Sequence, residues 1–197
     1  FGRLRRMMGG ISSVAVLGLG LIGSSIARGV REYMPDVRVT GFDASEAVRL
    51  ESRSLGFCHD VPDDAAAAVA DADLVILAVP VGRMADAARA IASGLKPDAI
   101  VSDVGSSKAS VLQVLREELP SHRLVPAHPV AGTENSGPAA GFASLFHQRW
   151  CIITPEERGC PIALETVSTF WANLGAKVEI MDAPHHDMVL AVTSHLP

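Results

Sequence analysis

The sequence predicts an α/β fold built on a doubly wound parallel sheet, and three observations carry that prediction. Short apolar runs with strand character alternate with helical patterns over most of the 197 residues. The strand runs are apolar throughout rather than at every second position, as expected where both faces of a sheet are covered. A glycine-rich turn, Gly18-Leu19-Gly20-Leu21-Ile22-Gly23, falls between the first strand and the first helix. Right-handed crossovers leave few topologies for such an alternation, and the doubly wound sheet is the commonest of them.

Taken in order, the first strand covers residues 13–17. Helical spacing follows over 21–33 and stops at Pro35. A second strand spans 37–42, and a helix over 45–54 closes at Gly56, a natural C′ glycine. Residues 57–59 read as a short third strand. The alanine-rich 62–70 is helical, 74–79 is a strand broken by Pro80, and 83–93 is a helix ended by Gly94. A strand at 99–102, a helix over 108–119 stopped by Pro120 and a strand at 123–126 complete the alternation. Beyond His128 the pattern changes: 129–141 is rich in glycine and proline and reads as a loop. Extra C-terminal strands at 150–154 and 177–180 flank a helix over 161–174, and a last helix begins at Asp182.

Composition sets the outer limits. Apolar residues make up 48% and charged residues 20%, which excludes disorder as the global state. Seventeen basic against 22 acidic side chains give a net charge of −5, which argues against a nucleic-acid or anionic-membrane surface as the main business of the domain. No apolar run reaches the roughly 20 residues of a membrane span. Cys58, Cys151 and Cys160 lack CxxC spacing, so they read as reduced thiols in a cytoplasm rather than as a disulfide framework. The first ten residues, with Arg3, Arg5 and Arg6, lack a signal-peptide apolar region and read as a flexible leader.

The glycine turn has the logic of a dinucleotide pyrophosphate site. Gly18 permits the tight turn, Gly20 lets backbone approach phosphate, and Gly23 lets helix pack close to strand. The N–H groups of the helix start at Leu21 and Ile22 supply donors and a positive dipole end. Asp43 ends the second strand twenty residues beyond Gly23, where a carboxylate can accept both ribose hydroxyls. It would repel a 2′-phosphate, and Arg49 is the nearest following arginine, so NAD is expected rather than NADP. The competing role for Asp43 is a helix N-cap, since Glu46 stands three residues on. A mononucleotide P-loop fails because Ser24 stands where its lysine must be.

Ligands of a doubly wound sheet lie outside the carboxyl ends of its strands. Val79 and Pro80 are expected there as a wall against adenosine or nicotinamide. Ser106 is expected either to cap the helix beginning near Lys108 or to present its hydroxyl to a ligand. His128, at a strand end before Pro129, suits a general base, with an ordinary pKa of about 6.5. His59, His122 and His147 read as packed or surface residues.

Five segments then occur in order: Gly18 to Ala27 (GLGLIGSSIA), Asp103 to Lys108 (DVGSSK), His128 to Glu134 (HPVAGTE), Trp150 to Pro155 (WCIITP) and His186 to Pro197 (HDMVLAVTSHLP). Together they resemble the prephenate/arogenate (cyclohexadienyl) dehydrogenase family, essentially from Val14 to the end. The resemblance implies a Rossmann-type domain over 11–181 and, over 182–197, the first helix of an all-helical dimerisation and substrate domain. It implies NAD-dependent oxidative decarboxylation of a cyclohexadienol in tyrosine biosynthesis. His128 would accept the ring hydroxyl proton, and Ser106 would hold that hydroxyl and help orient His128 and the nicotinamide. Thr133 and Glu134 would lie near the substrate side chain. His186 and His195 would lie on the helix leading into the second domain, with His186 beside the substrate. Because the chain stops at Pro197, the last helix is expected to expose Met188, Val189, Val192 and Leu196, and a homodimer through the helical region follows from the family.

Other readings of the same residues are weaker. Ser106 and His128 lack the GxSxG elbow of a hydrolase. His185-His186-Asp187 lacks the i,i+4 spacing of a helical metal pair, so no metal is expected. A dehydrogenase of the β-hydroxy acid type would share the glycine turn but has no need of the His128–Glu134 string. A non-catalytic NAD-sensing domain is the remaining alternative.

Overall fold

The computed structural model describes residues 10–193, with side chains through Ala191. The leader at residues 1–9, as well as His195 and Leu196, lies outside the described residues. Strand β1 (Ser13–Leu17) leads through the glycine turn into α1 (Leu21–Tyr33); β2 (Arg38–Phe42) is followed by α2 (Glu46–Leu55) and α3 (Ala65–Val69). Then come β3 (Leu74–Leu77), α4 (Met84–Ile91), β4 (Ile100–Asp103), α5 (Ala109–Glu118) and β5 (Arg123–Leu124). These five strands form one fully parallel sheet in the order β2-β1-β3-β4-β5.

The continuous apolar runs are explained by what covers them. Val14 and Val16 of β1, and Leu74 and Ile76 of β3, point into a core shared with Ile26, Ala27 and Val30 of α1. Their neighbours Ala15, Leu17, Val75 and Leu77 point the other way, into a second core with Met84, Ala88 and Ile91 of α4 and Val111 and Leu115 of α5. Successive strand side chains face opposite sides, so a strand covered on both needs apolar residues at every position. Each such fully buried Val, Leu or Ile is worth about 1.5–3 kcal/mol.

The chain then changes sheet. β6 (Ala127–Pro129), β7 (Trp150–Ile153) and β8 (Lys177–Ile180) form a separate three-stranded sheet, with β6 antiparallel to β7 and β7 parallel to β8. Helix α6 (Pro161–Asn173) lies between the last two strands, and α7 (Ala183–Thr193) closes the described chain. The layer from β7 and α6, with Cys151, Ile153, Phe170 and Trp171, packs into the same core as α1.

Several expectations need correction. Residues 57–59 form no strand: that segment touches the edge of β2 through one parallel bridge, Thr40 to Asp60, with Val39 N–H donating to the His59 ring. The strand expected over 123–126 ends at Leu124. His128 therefore lies within β6 of the second sheet rather than after a strand of the first. Helix α2 is capped by Ser45, whose hydroxyl accepts from Val48 N–H, so Asp43 is not its cap. Gly56 does take the left-handed conformation expected of it, at φ 67°.

Candidate active site

The glycine turn opens onto a cleft of about 1040 Å³ at the carboxyl edge of the parallel sheet. Its three glycines answer to three different demands. Gly18 has φ +92°, a left-handed conformation, and a Cβ there would stand 2.3 Å from the Ala78 carbonyl oxygen. A Cβ on Gly23 would stand 1.8 Å from the Gly18 carbonyl oxygen, so this glycine sets how closely α1 approaches the turn. Gly20 is different: a Cβ there meets no protein atom within 4 Å. The space at Gly20 opens into the cleft. Gly20 is also the N-cap of α1, with no side-chain cap and no acidic residue in the first turn, so the helix start presents bare amides.

Gly18, Gly20, Leu21, Ile22, Asp43, Val79 and Pro80 all line this cleft, and Gly23 lies beneath it. Asp43 Oδ2 accepts from Leu19 N–H at 2.9 Å and Oδ1 from Ser45 N–H at 2.9 Å, which ties the end of β2 to the glycine turn. Arg49 forms part of the same wall. Its Nη1 donates to the Asp43 carbonyl at 2.8 Å and its Nε to Asp63 Oδ1 at 3.0 Å.

A second arrangement begins at the end of β4. Asp103 and Lys108 are both wholly buried, with Lys108 Nζ 2.5 Å from Asp103 Oδ2. Lys108 also donates to the Ala127 carbonyl at 2.7 Å, and Asp103 accepts from Gly105 N–H at 2.7 Å and Ala127 N–H at 3.3 Å. Burial pushes the Asp103 carboxyl up and the Lys108 ammonium down, and each is held back by the charge of the other. The pair fastens β6, and hence His128, to the carboxyl end of β4. Val104, the next residue after Asp103, lines the cleft.

His128 Nδ1 lies 2.9 Å from His186 Nε2, with the rings edge-on at 5.1 Å. His186 Nδ1 lies 2.8 Å from Asp187 Oδ1. The Asp187 carboxylate also accepts from Lys108 N–H at 2.9 Å and Ala109 N–H at 3.0 Å, so it caps α5 from α7. Burial, then the nearby Lys108 ammonium, pushes His128 down to about 4, which leaves its ring neutral at neutral pH.

The remaining expected residues are placed as follows. Ser106 is exposed and makes no side-chain hydrogen bond among the described residues; the cap expected of it is supplied by Asp187. Thr133 and Glu134 are exposed on the loop after β6. His186, expected beside the substrate, is wholly buried behind His128, so its ring has no open face for a ligand. His185 is exposed. Of the face expected to be exposed, Met188 of α7 is 60% exposed and Val189 half-buried, while the Val192 side chain lies outside the described residues. Asp187 and the Asp103–Lys108 pair had no role assigned from sequence. Asp187 lies past the first turn of α7 and caps the start of a different helix, a contact across the fold that no local pattern encodes.

Among the described residues no helix is long and apolar enough to cross a membrane. A family model described as prephenate dehydrogenase, nucleotide-binding domain, matches residues 26–180. A cyclohexadienyl dehydrogenase from Zymomonas mobilis is 49% identical over 184 residues, covering 93% of this chain and 63% of its own length. A prephenate dehydrogenase from Bacillus subtilis is 33% identical over 187 residues, covering 94% of this chain and 50% of its own. The crystal structure of prephenate dehydrogenase from Aquifex aeolicus in complex with hydroxyphenyl propionate and NAD+ superposes with a TM-score of 0.86 at 29% identity, over 93% of this chain and 64% of that one. The chain thus spans one half to about two thirds of the length of these relatives, and with its parallel sheet and glycine turn it belongs to the prephenate dehydrogenase family, whose nucleotide-binding domain it carries.

Proposed function

We propose that the chain forms the cofactor half of an NAD-dependent dehydrogenase that oxidatively decarboxylates prephenate, or arogenate, to 4-hydroxyphenylpyruvate or tyrosine. One observation carries the reading. A cleft with ligand-sized room at Gly20 and a neutral imidazole at His128 are fastened to consecutive residues, Val104 and Asp103, at one edge of one sheet.

The cleft fits a dinucleotide. Bare amides at the start of α1 suit a pyrophosphate, Asp43 suits ribose hydroxyls, and the apolar Val79 and Pro80 suit a flat ring. A bound nicotinamide would supply the hydride acceptor. His128 would take the proton of the ring hydroxyl as its carbon is oxidised, and Ser106 would hydrogen-bond that hydroxyl. Loss of the ring carboxylate as carbon dioxide then aromatises the ring, which leaves the protein chiefly the work of positioning and proton removal. Thr133 and Glu134, exposed beyond β6, would face the substrate side chain.

The same reading includes NAD rather than NADP, cytoplasmic residence and a homodimer joined through the helical region that α7 opens. The exposed Met188 supports that last element. The test is an absorbance assay at the reduced-nicotinamide band, comparing prephenate with arogenate and NAD with NADP, on this chain and on the whole protein. Reduction of NAD by the whole protein with either cyclohexadienol is expected. Dinucleotide binding without turnover of either would overturn the proposal in favour of a sensing domain.

A further inference from the structure

We propose that Asp187 is a positioning residue that sets the tautomer of His128 through His186, a role that rests on the assignment of His128 as the proton acceptor. Donors and acceptors fix where each proton sits. The Asp187 carboxylate only accepts, so the His186 nitrogen facing it, Nδ1 at 2.8 Å, must carry the proton. A His186 ring with one proton then presents Nε2 as a lone pair. The group facing that lone pair at 2.9 Å is Nδ1 of His128, which must donate. A neutral His128 with its proton on Nδ1 has Nε2 as its free base. Each link follows from the one before, and the first rests on a charge.

The carboxylate is well placed for this. Partial burial works against its charge, yet the N–H groups of Lys108 and Ala109 and the His186 ring hold its pKa below the ordinary carboxylate range. Its position is set by two elements at once: α7 carries it and the start of α5 grips it. The groups facing His128 act in different directions. The Lys108 ammonium, itself paired with Asp103, and His186 disfavour a proton on His128, while Asp187 favours it. When Nε2 gains the substrate proton, the new charge can be shared along the chain to Asp187 without any group moving. Contact with the cap residues of α5 alone would require none of the His186 geometry.

Ring nitrogen NMR on this chain reads the tautomer without any activity. At neutral pH, His128 is expected as the Nδ1–H tautomer, the minor form of free imidazole in water. Asp187→Asn keeps one oxygen for the Lys108 or Ala109 N–H but loses the charge, and it should shift His128 toward Nε2–H. In the whole protein the same substitution should lower kcat about 10²-fold or more while cofactor Kd changes less than twofold. An Nε2–H tautomer of His128 in the parent chain overturns the proposal, and that measurement needs no variant to fold. So does an Asp187→Asn protein with parental tautomer and kcat and only a lower Tm, which is what a pure helix cap would give. If instead the tautomer shifts as expected but His128→Asn leaves turnover intact, the relay stands and the assignment of His128 as the base fails.

Discussion

The glycine-turn cleft and the imidazole cluster lie at the same edge of the parallel sheet but are built in opposite ways. The cleft is made largely of backbone: three glycines within six residues, the first-turn amides of α1, and one carboxylate 24 residues along the chain from the amide that it accepts. The cluster is made of charged and polar side chains drawn from β4, β6 and α7, with His128 and His186 58 residues apart and Lys108 and Asp187 79 apart. The cluster depends on individual protons and charges, each of which a single substitution removes.

The largest effect is expected where the two regions should separate most cleanly. His128→Asn keeps a polar side chain in β6 but removes the base. Turnover of the whole protein should fall by about 10²- to 10⁴-fold, while NAD affinity, which belongs to the cleft, should change little. Steady-state kinetics with a separate titration of NAD would check both halves. Near-normal turnover would remove His128 from the chemistry.

Next comes the strut that joins the regions. Lys108→Met leaves Asp103 wholly buried and without its countercharge, a change worth about 3–5 kcal/mol. It also frees the Ala127 carbonyl that positions β6. Denaturant unfolding should show the loss, and Asp103→Asn added to Lys108→Met should recover part of it. A stability within about 0.5 kcal/mol of the parent would mean that the pair carries no uncompensated charge.

The same contrast explains what sequence reasoning could reach. The parallel sheet was legible because its signals are local: apolar runs, stop residues and a strand–glycine–helix turn each lie within a few positions. The cleft was legible for the same reason, including Asp43, Val79 and Pro80. The sheet change after Leu124 was not, because 123–126 reads as one strand running up to His128, and only the pairing of Ala127 with Ile153 shows where one sheet yields to the other. Of the two roles open to Ser106, that of cap falls to Asp187, which arrives from α7. His186 was correctly set on the last helix, but its burial depends on packing against His128 that no local pattern encodes. Through the family resemblance, the segments containing Asp103, Lys108 and Asp187 were recognised before any reason for those residues was visible.

Within the cleft itself, two glycines sharpen the comparison. Gly23→Ala forces a Cβ to 1.8 Å from the Gly18 carbonyl oxygen, so α1 must move away from the turn. That strain should cost about 1–3 kcal/mol and abolish tight NAD binding. Gly20→Ala meets nothing within 4 Å, and its φ of −69° suits alanine. Its stability should stay within about 0.5 kcal/mol of the parent, with the loss confined to NAD affinity. Thermal unfolding with and without NAD separates the two, and equal losses of stability would mean that the room at Gly20 is not kept for a ligand.

The smallest expected effect tests which dinucleotide the cleft takes. Asp43→Ala removes the acceptor for Leu19 N–H and Ser45 N–H, contacts worth about 1 kcal/mol each in a folded chain. That part of the loss falls on the turn and weakens any dinucleotide. The further loss of a carboxylate facing ribose hydroxyls should weaken NAD but relieve repulsion of a 2′-phosphate. The ratio of NAD to NADP affinity should therefore fall by about tenfold, equivalent to about 1.4 kcal/mol. Arg49 gives the test its direction. It stands in the same wall with Nε on Asp63 and Nη1 on the Asp43 carbonyl, so a cation already borders the space that a 2′-phosphate would enter once the carboxylate is gone. Equal losses for the two cofactors would confine Asp43 to its bond with the glycine turn and leave the choice of dinucleotide to other residues of the cleft.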